Sequence, residues 1–221
     1  MEPINIYING TSGFIGGALV KYIENNRNYI TFNEKKIPVR IILVPRKLDK
    51  NGIYKGIFIQ MASPSDIFDF KREEEMKVSM IDDVNHNIDI AIKNKLIMIF
   101  ASSLAVEDIR LNSYGKFKLK IESRLNYEHL CETLDSIILR IPRVYAQYRK
   151  KGLMYQLRND LVPLGDYNKE ISFMEIKSFI EEVVYHLGEL ITKPESILNN
   201  VISFPNVKTM TIGQIKDHYK L

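Results

Sequence analysis

Tyr114 and Lys118 stand four residues apart at the head of a segment with helical spacing, so both side chains point to one face. A phenol ordinarily titrates near ~10, and an adjacent ammonium favours the phenolate. The pairing predicts a phenol of lowered pKa that trades a proton with a substrate hydroxyl or carbonyl near neutrality. Ser103, just past the apolar run Leu96–Phe100, is placed to hold the same substrate oxygen. Singly these residues are commonplace, and Ser102-Ser103 could equally cap or turn the chain.

A second constellation opens the chain. Gly10-x-x-Gly13-x-x-Gly16 follows an apolar strand, Asn5–Ile8, and leads into a helical pattern, Phe14–Ile23. A turn this tight needs residues without Cβ, and a diphosphate needs close approach to backbone N–H groups at a helix start. The turn, with Ser12, Phe14 and Ile15 between its glycines, is therefore read as a dinucleotide site. At the tip of the next strand stand Arg46 and Lys47, where an acid would hold a ribose and a base would accept a 2′-phosphate. They favour NADP, with NAD possible.

The elements that must position these groups alternate. Strands are expected at Val39–Val44, Ile57–Met61, Leu96–Phe100, Ser136–Ile141 and Val201–Phe204, and helices at Glu73–Lys93, Tyr114–Leu134, Phe173–Leu190 and Thr211–Tyr219. The last helix should start at Thr209 or Thr211. Asn25–Lys36 reads as a polar connection. The fold class is α/β, a mostly parallel sheet covered on both faces. Only about ten residues separate the second strand from Ile57, too few for the helix, strand and helix of a full half-domain.

Composition narrows the rest. In 221 residues, 45% hydrophobic and 26% charged, no stretch has the apolar length of a membrane span, and a globular protein is expected. The opening residues do not resemble a signal peptide, so a cytoplasmic location is expected. Net charge is +4 and dispersed, which demands neither nucleic acid nor a membrane as partner. His86, His129, His186, His218 and Cys131 have no metal-ligand spacing, and no metal is expected. Cys131, among Leu130, Leu134 and Ile137, reads as a packing residue.

The order of the motifs carries a resemblance. Gly10-Thr-Ser-Gly13-Phe-Ile-Gly16, Phe100-Ala-Ser-Ser103, Tyr114-Gly-Lys-Phe-Lys118 with Glu122, and Leu139-Arg-Ile-Pro-Arg-Val-Tyr145 resemble the extended short-chain dehydrogenase/reductase family, and within it the NAD-dependent epimerase/dehydratase group. The resemblance is specific from Tyr7 to Tyr145 and faint beyond. It implies a Rossmann-like doubly wound parallel sheet over residues 1–146. Residues 147–221 would form a small C-terminal substrate-binding region with elements returning to the sheet. It also implies that Ser103, Tyr114 and Lys118 are catalytic, that Lys118 holds the nicotinamide ribose, and that Met61-Ala62-Ser63 line the cofactor.

The implied substrate is a nucleotide sugar, and the expected activity is an NADP(H)-dependent reductase of a keto-sugar nucleotide, as in surface-polysaccharide or deoxysugar biosynthesis. The alternatives are an epimerase of the same family and a non-catalytic NADP-binding regulatory subunit. Ser103, Tyr114, Arg143 and Arg149 are the expected substrate contacts, the arginines as a clamp for phosphates. Ser-Ser-Leu stands where dehydratases of the group carry Thr-Asp-Glu, which argues against elimination of water. A homodimer is expected, with Ile88–Ile92 and Tyr127–Leu134 as the candidate face, although core packing explains the same residues.

Overall fold

The computed structural model describes residues 2–62, 74–107, 113–149, 152–193 and 200–221. Ser63, expected to line the cofactor, lies outside them. The described residues form two compact units, one comprising 1–141 and 183–203, the other 142–182 and 204–221.

The first unit is built on a seven-stranded sheet. Its strands are β1 (Ile4–Asn9), β2 (Tyr29–Phe32), β3 (Lys35–Leu43), β4 (Ile57–Gln60), β5 (Ile97–Ser103), β6 (Ser136–Ile141) and β9 (Val201–Ser203), in the spatial order β2-β3-β1-β4-β5-β6-β9. All pairings are parallel except β2 with β3. Parallel neighbours require crossovers, and α1 (Phe14–Asn25), α2 (Glu74–Asn94) and α3 (Ser113–Leu130) supply them.

The strands are buried on both faces. Tyr7, Phe58, Met98, Phe100 and Ile138 pack with Val84, Ile88 and Ala91 of α2 and Phe117, Ile121 and Leu125 of α3. The alternate residues Ile6, Ile8, Ile59, Ile99 and Leu139 are equally buried, as are Leu19 and Ile23 of α1 and Leu187 of α5 (Ile176–Thr192). This is the doubly wound Rossmann-like arrangement.

The sheet departs from the expected pattern at one edge. Asn25–Lys36, expected as a polar connection, contains β2 and the start of β3. Asn33 and Glu34 between them have φ of 46° and 65°, the paired left-handed geometry of a two-residue hairpin. Asn-Glu rarely announces such a turn, whereas Ile30 and Phe32 alternate inward as strand residues should. β3 then passes to β4 without a helix or strand. The antiparallel β2 stands where a full half-domain would place a further parallel strand.

The second unit holds β7 (Arg143–Tyr145), β8 (Glu170–Glu175) and β10 (Lys208–Thr211) in the order β10-β8-β7. With α4 (Leu153–Arg158) and α6 (Ile212–Tyr219) they enclose a core of Tyr145, Met154, Leu157, Phe173, Ile212 and Ile215. The helix expected from Phe173 begins at Ile176, because Phe173 pairs with Arg143 and Lys208 inside the small sheet. α6 starts at Thr211, whose hydroxyl accepts from the Gln214 N–H at 3.1 Å while the Gln214 side chain accepts from the Thr211 N–H at 2.9 Å.

Candidate functional site

Because β1, β4 and β5 are parallel, their carboxyl ends share one edge of the sheet. Asn9 pairs with Gln60 and Gln60 with Phe100. The glycine turn leaves from β1 and Ser103 lies two strands away, a lateral separation of about 10 Å. Open α/β sheets bind ligands along this edge.

The turn has the shape a diphosphate needs. Gly10 has φ +69°, and a Cβ there would stand 2.5 Å from the Ala62 nitrogen and 2.7 Å from the Met61 carbonyl carbon. Any side chain would therefore collide with the end of β4. Gly16 packs its helix against the turn, since a Cβ would lie 2.5 Å from the Gly10 oxygen. Gly13 enters α1 in an extended conformation, Ser12 and Gly13 are exposed, and Phe14 and Ile15 are half-buried. The residues fit a bound dinucleotide: a helix start faces open backbone, and nothing bulkier than hydrogen is tolerated at the bend.

A buried amide network, which the sequence reading missed, fixes this bend. Asn9 Oδ1 accepts from the Met61 and Ala62 N–H groups, both at 2.8 Å, and Asn9 Nδ2 donates to Gln60 Oε1 (2.9 Å) and the Arg46 carbonyl (3.1 Å). Asn87 Nδ2 donates to the same two oxygens at 2.7 and 3.1 Å. Gln60 Nε2 completes the set by donating to the Ala62 carbonyl at 2.8 Å. The available signal was three amides in otherwise apolar or helical surroundings.

Arg46 and Lys47, expected as a pair of cations at the tip of β3, both engage one carboxylate. Asp83 of α2 is ion-paired to Arg46 Nε and, at 3.2 Å, to Lys47 Nζ.

The expected catalytic residues come together around β5 and α3. Tyr114 and Lys118 lie on one face of α3, with Lys118 Nζ 5.6 Å from the centre of the Tyr114 ring. Tyr114 shares a hydrogen bond with Ser103. Lys118 is fully buried and donates to the Ala101 carbonyl. Burial lowers its pKa to about 7, opposed by the negative charge of Glu122.

The expected acidified phenol is not found. Burial raises the Tyr114 pKa, and the Ser103 hydrogen bond offsets only part of this. Desolvation, which spacing cannot report, is the larger of the two effects.

One turn further along α3, Glu122 is 1% exposed. It accepts from Ser102 Oγ and is ion-paired at 2.9 Å with Arg140 of β6, which also reaches Glu107 at 3.0 Å. Ser102, Glu107 and Arg140 were not anticipated, although an arginine inside the apolar run Ser136–Ile141 was a signal for a buried carboxylate.

In the second unit, Arg143 lines a cavity of about 600 Å³ with Gln156, Asp166, Lys169, Glu170 and apolar residues that include Leu161 and Ile212. Arg149 does not line it. Its guanidinium donates to the Val144 carbonyl at 3.0 Å, and its own carbonyl accepts from Arg158 at 2.6 Å.

Two further expectations are corrected. Cys131 is exposed rather than packed, because α3 ends at Leu130 and Cys131 falls in the turn that follows. Ile88 and Ile90 are core residues, so among the large apolar side chains of the candidate dimer face only Tyr127 and Leu130 stand exposed. Among the described residues no helix is long and apolar enough to cross a membrane.

No protein-family model matches the chain, and no curated protein matches it. Solved structures do. The capsular polysaccharide assembling protein CapF from Staphylococcus aureus is 20% identical with a TM-score of 0.65, over 97% of this chain and 56% of CapF. TunA, an NAD-dependent NDP-hexosamine 5,6-dehydratase, is 15% identical with a TM-score of 0.67, over 98% of this chain and 82% of TunA. The UDP-N-acetylglucosamine 4-epimerase from Methanobrevibacter ruminantium M1 is 16% identical with a TM-score of 0.66, over 100% of this chain and 84% of the epimerase. At these identities the likeness is one of fold, and the chain spans just over half the length of CapF.

Proposed function

We propose that this chain is a nicotinamide-dinucleotide-dependent enzyme that epimerises a nucleotide sugar. The observation that carries the reading is the gathering of Ser103, Tyr114 and Lys118 on the sheet edge from which the glycine turn also leaves. Two things support it: the motif order resembles the epimerase/dehydratase group, and the fold is shared with a 4-epimerase of a nucleotide sugar.

The roles follow from position and charge. Gly10, Gly13 and Gly16 shape the backbone that receives the diphosphate, and Lys118 holds the nicotinamide ribose. Once bound, the dinucleotide supplies a two-electron acceptor that returns the electrons to the same sugar. Ser103 orients the sugar oxygen. Tyr114, whose pKa burial raises, would exchange the proton of that oxygen: as the phenolate it takes the proton when the sugar is oxidised, and as the phenol it returns it when the keto sugar is reduced. Arg143, which lines the cavity of the second unit, is the cation we propose for a phosphate group. We place the enzyme in the cytoplasm as a homodimer, with the exposed Tyr127 and Leu130 supporting the association.

A second reading is an NADPH-linked keto-sugar reductase, which requires Arg46 and Lys47, half-exposed at the tip of β3, to accept a phosphate despite their shared pairing with Asp83. Incubation with NAD, NADPH and a panel of nucleoside diphosphate sugars separates the readings. Inversion at one sugar carbon without net change in nicotinamide absorbance supports the epimerase, and consumption of NADPH supports the reductase. Dinucleotide binding with no turnover of any sugar supports a non-catalytic subunit. Tyr114→Phe should lower turnover by about 10²- to 10⁴-fold with dinucleotide affinity retained. Full activity in that variant refutes the catalytic assignment.

A further inference from the structure

The segment after β3 is held to α2 by three side-chain–backbone contacts and two ion pairs. Asn87 Oδ1 accepts from the Leu48 N–H at 2.8 Å, Asn87 Nδ2 donates to the Arg46 carbonyl at 3.1 Å, and His86 Nε2 lies 2.9 Å from the Leu48 carbonyl. Leu48 itself is buried. One helical turn before Asn87, and on the same face, Asp83 reaches both Arg46 and Lys47. Its side chain is 12% exposed while theirs are 54% exposed. The carboxylate is thus set into the structure and the cations project past it.

This arrangement bears on the one difference between the two nicotinamide dinucleotides, a phosphate on the adenosine ribose. That phosphate carries up to two negative charges and binds where cations have unspent donors. Here two cations are met by an acid that the α2 contacts hold in register. A phosphate arriving at Arg46 and Lys47 would approach Asp83 as a like charge and compete with it for the same N–H groups. A free ribose brings no such conflict, and a carboxylate near it is an acceptor for its hydroxyls.

We propose that Asp83 is the residue that sets dinucleotide choice, turning an apparently phosphate-seeking basic pair into a site that selects the dinucleotide without the 2′-phosphate. The proposal rests on the reading of the glycine turn as a dinucleotide site. Its chemistry is subtraction: Arg46 and Lys47 contribute two positive charges to the tip of β3, and Asp83 cancels one of them where the phosphate would sit.

The test is equilibrium binding of NAD and NADP to the full chain by calorimetry, with no turnover required. The wild type should bind NAD at least about tenfold more tightly than NADP. Asp83→Asn should move the ratio of dissociation constants toward NADP by about 10- to 100-fold, mostly through tighter NADP binding. Asp83→Ser, which removes the acid without adding bulk, should move it the same way. Adenosine 2′,5′-bisphosphate should gain affinity in both variants and 5′-AMP should not. A wild type that prefers NADP, or a ratio unchanged in both variants, overturns the role of Asp83 while leaving the dinucleotide site in place. Failure of the wild type to bind either dinucleotide overturns the site itself, and the proposal with it.

Discussion

The first unit contains two buried polar clusters on the same edge of one sheet, and they are built differently. Around the glycine turn, Asn9, Gln60 and Asn87 are neutral amides whose bonds run to each other and to backbone groups. Around α3, Glu122 and Arg140 form an ion pair, and Lys118 is an amine whose pKa is displaced to about 7. A neutral network fully paired in low dielectric fixes geometry and does not respond to pH. A charged one carries a desolvation cost and responds to every proton. On the proposed reading, the bend that receives the diphosphate is thus made of amides, and the place where a proton moves is made of ionisable groups.

Three changes test that division. Asn9→Leu is expected to be the most damaging to stability, by about 2–5 kcal/mol, because it leaves the Met61 and Ala62 N–H groups buried without an acceptor. Chemical denaturation measures it, and the loss should not vary between pH 6 and 9. Glu122→Gln should cost less, about 1–3 kcal/mol, since the amide retains some bonds to Ser102 and Arg140. It should also lower the Lys118 pKa further, visible as an acid-ward shift of any pH–rate profile that follows Lys118, because Glu122 is the group that raises it.

The smallest effect is a slope. Lys118 is protonated in the unfolded chain up to its ordinary pKa of about 10.5 but loses its proton near 7 when folded. Between those values the unfolded state binds more protons, so this group makes the wild type more stable as pH rises above 7. Lys118→Met should remove that rise, which would be on the order of 5 °C in melting temperature between pH 7 and 9. A wild type whose stability falls over that range, with no difference in the variant, would contradict the buried ammonium.

The parallel core was legible because it is repetitive. Apolar runs such as Leu96–Phe100 and Ser136–Ile141, alternating with helical spacing, leave little choice of topology. Gly10 and Gly16 were legible because a bend without room for Cβ admits no substitute, and Gly13 completes the spacing between them. Tyr114 and Lys118 share a face by spacing alone. What spacing could not convey was environment. The direction of the Tyr114 shift depends on burial, and the worth of Arg46 and Lys47 depends on Asp83, far away in sequence. β7, β8 and β10 were missed because exposed polar residues such as Arg143, Glu170, Ser172 and Lys208 break the apolar runs that mark β4 and β6. Asn9 and Gln60 looked like strand ends, and only the fold shows them bonded across three elements.

The β2–β3 hairpin has a consequence beyond the sheet it closes. A long bare outer strand is a template on which another molecule can add its own chain. Here the outermost strand is four residues long, and Gly188 of α5 lies so close to Phe32 that a Cβ there would stand 2.5 Å from the phenylalanine Cβ. A helix laid against so short a rim leaves little ribbon on which intermolecular stacking could begin, so the abbreviated half of this fold is also its guarded border.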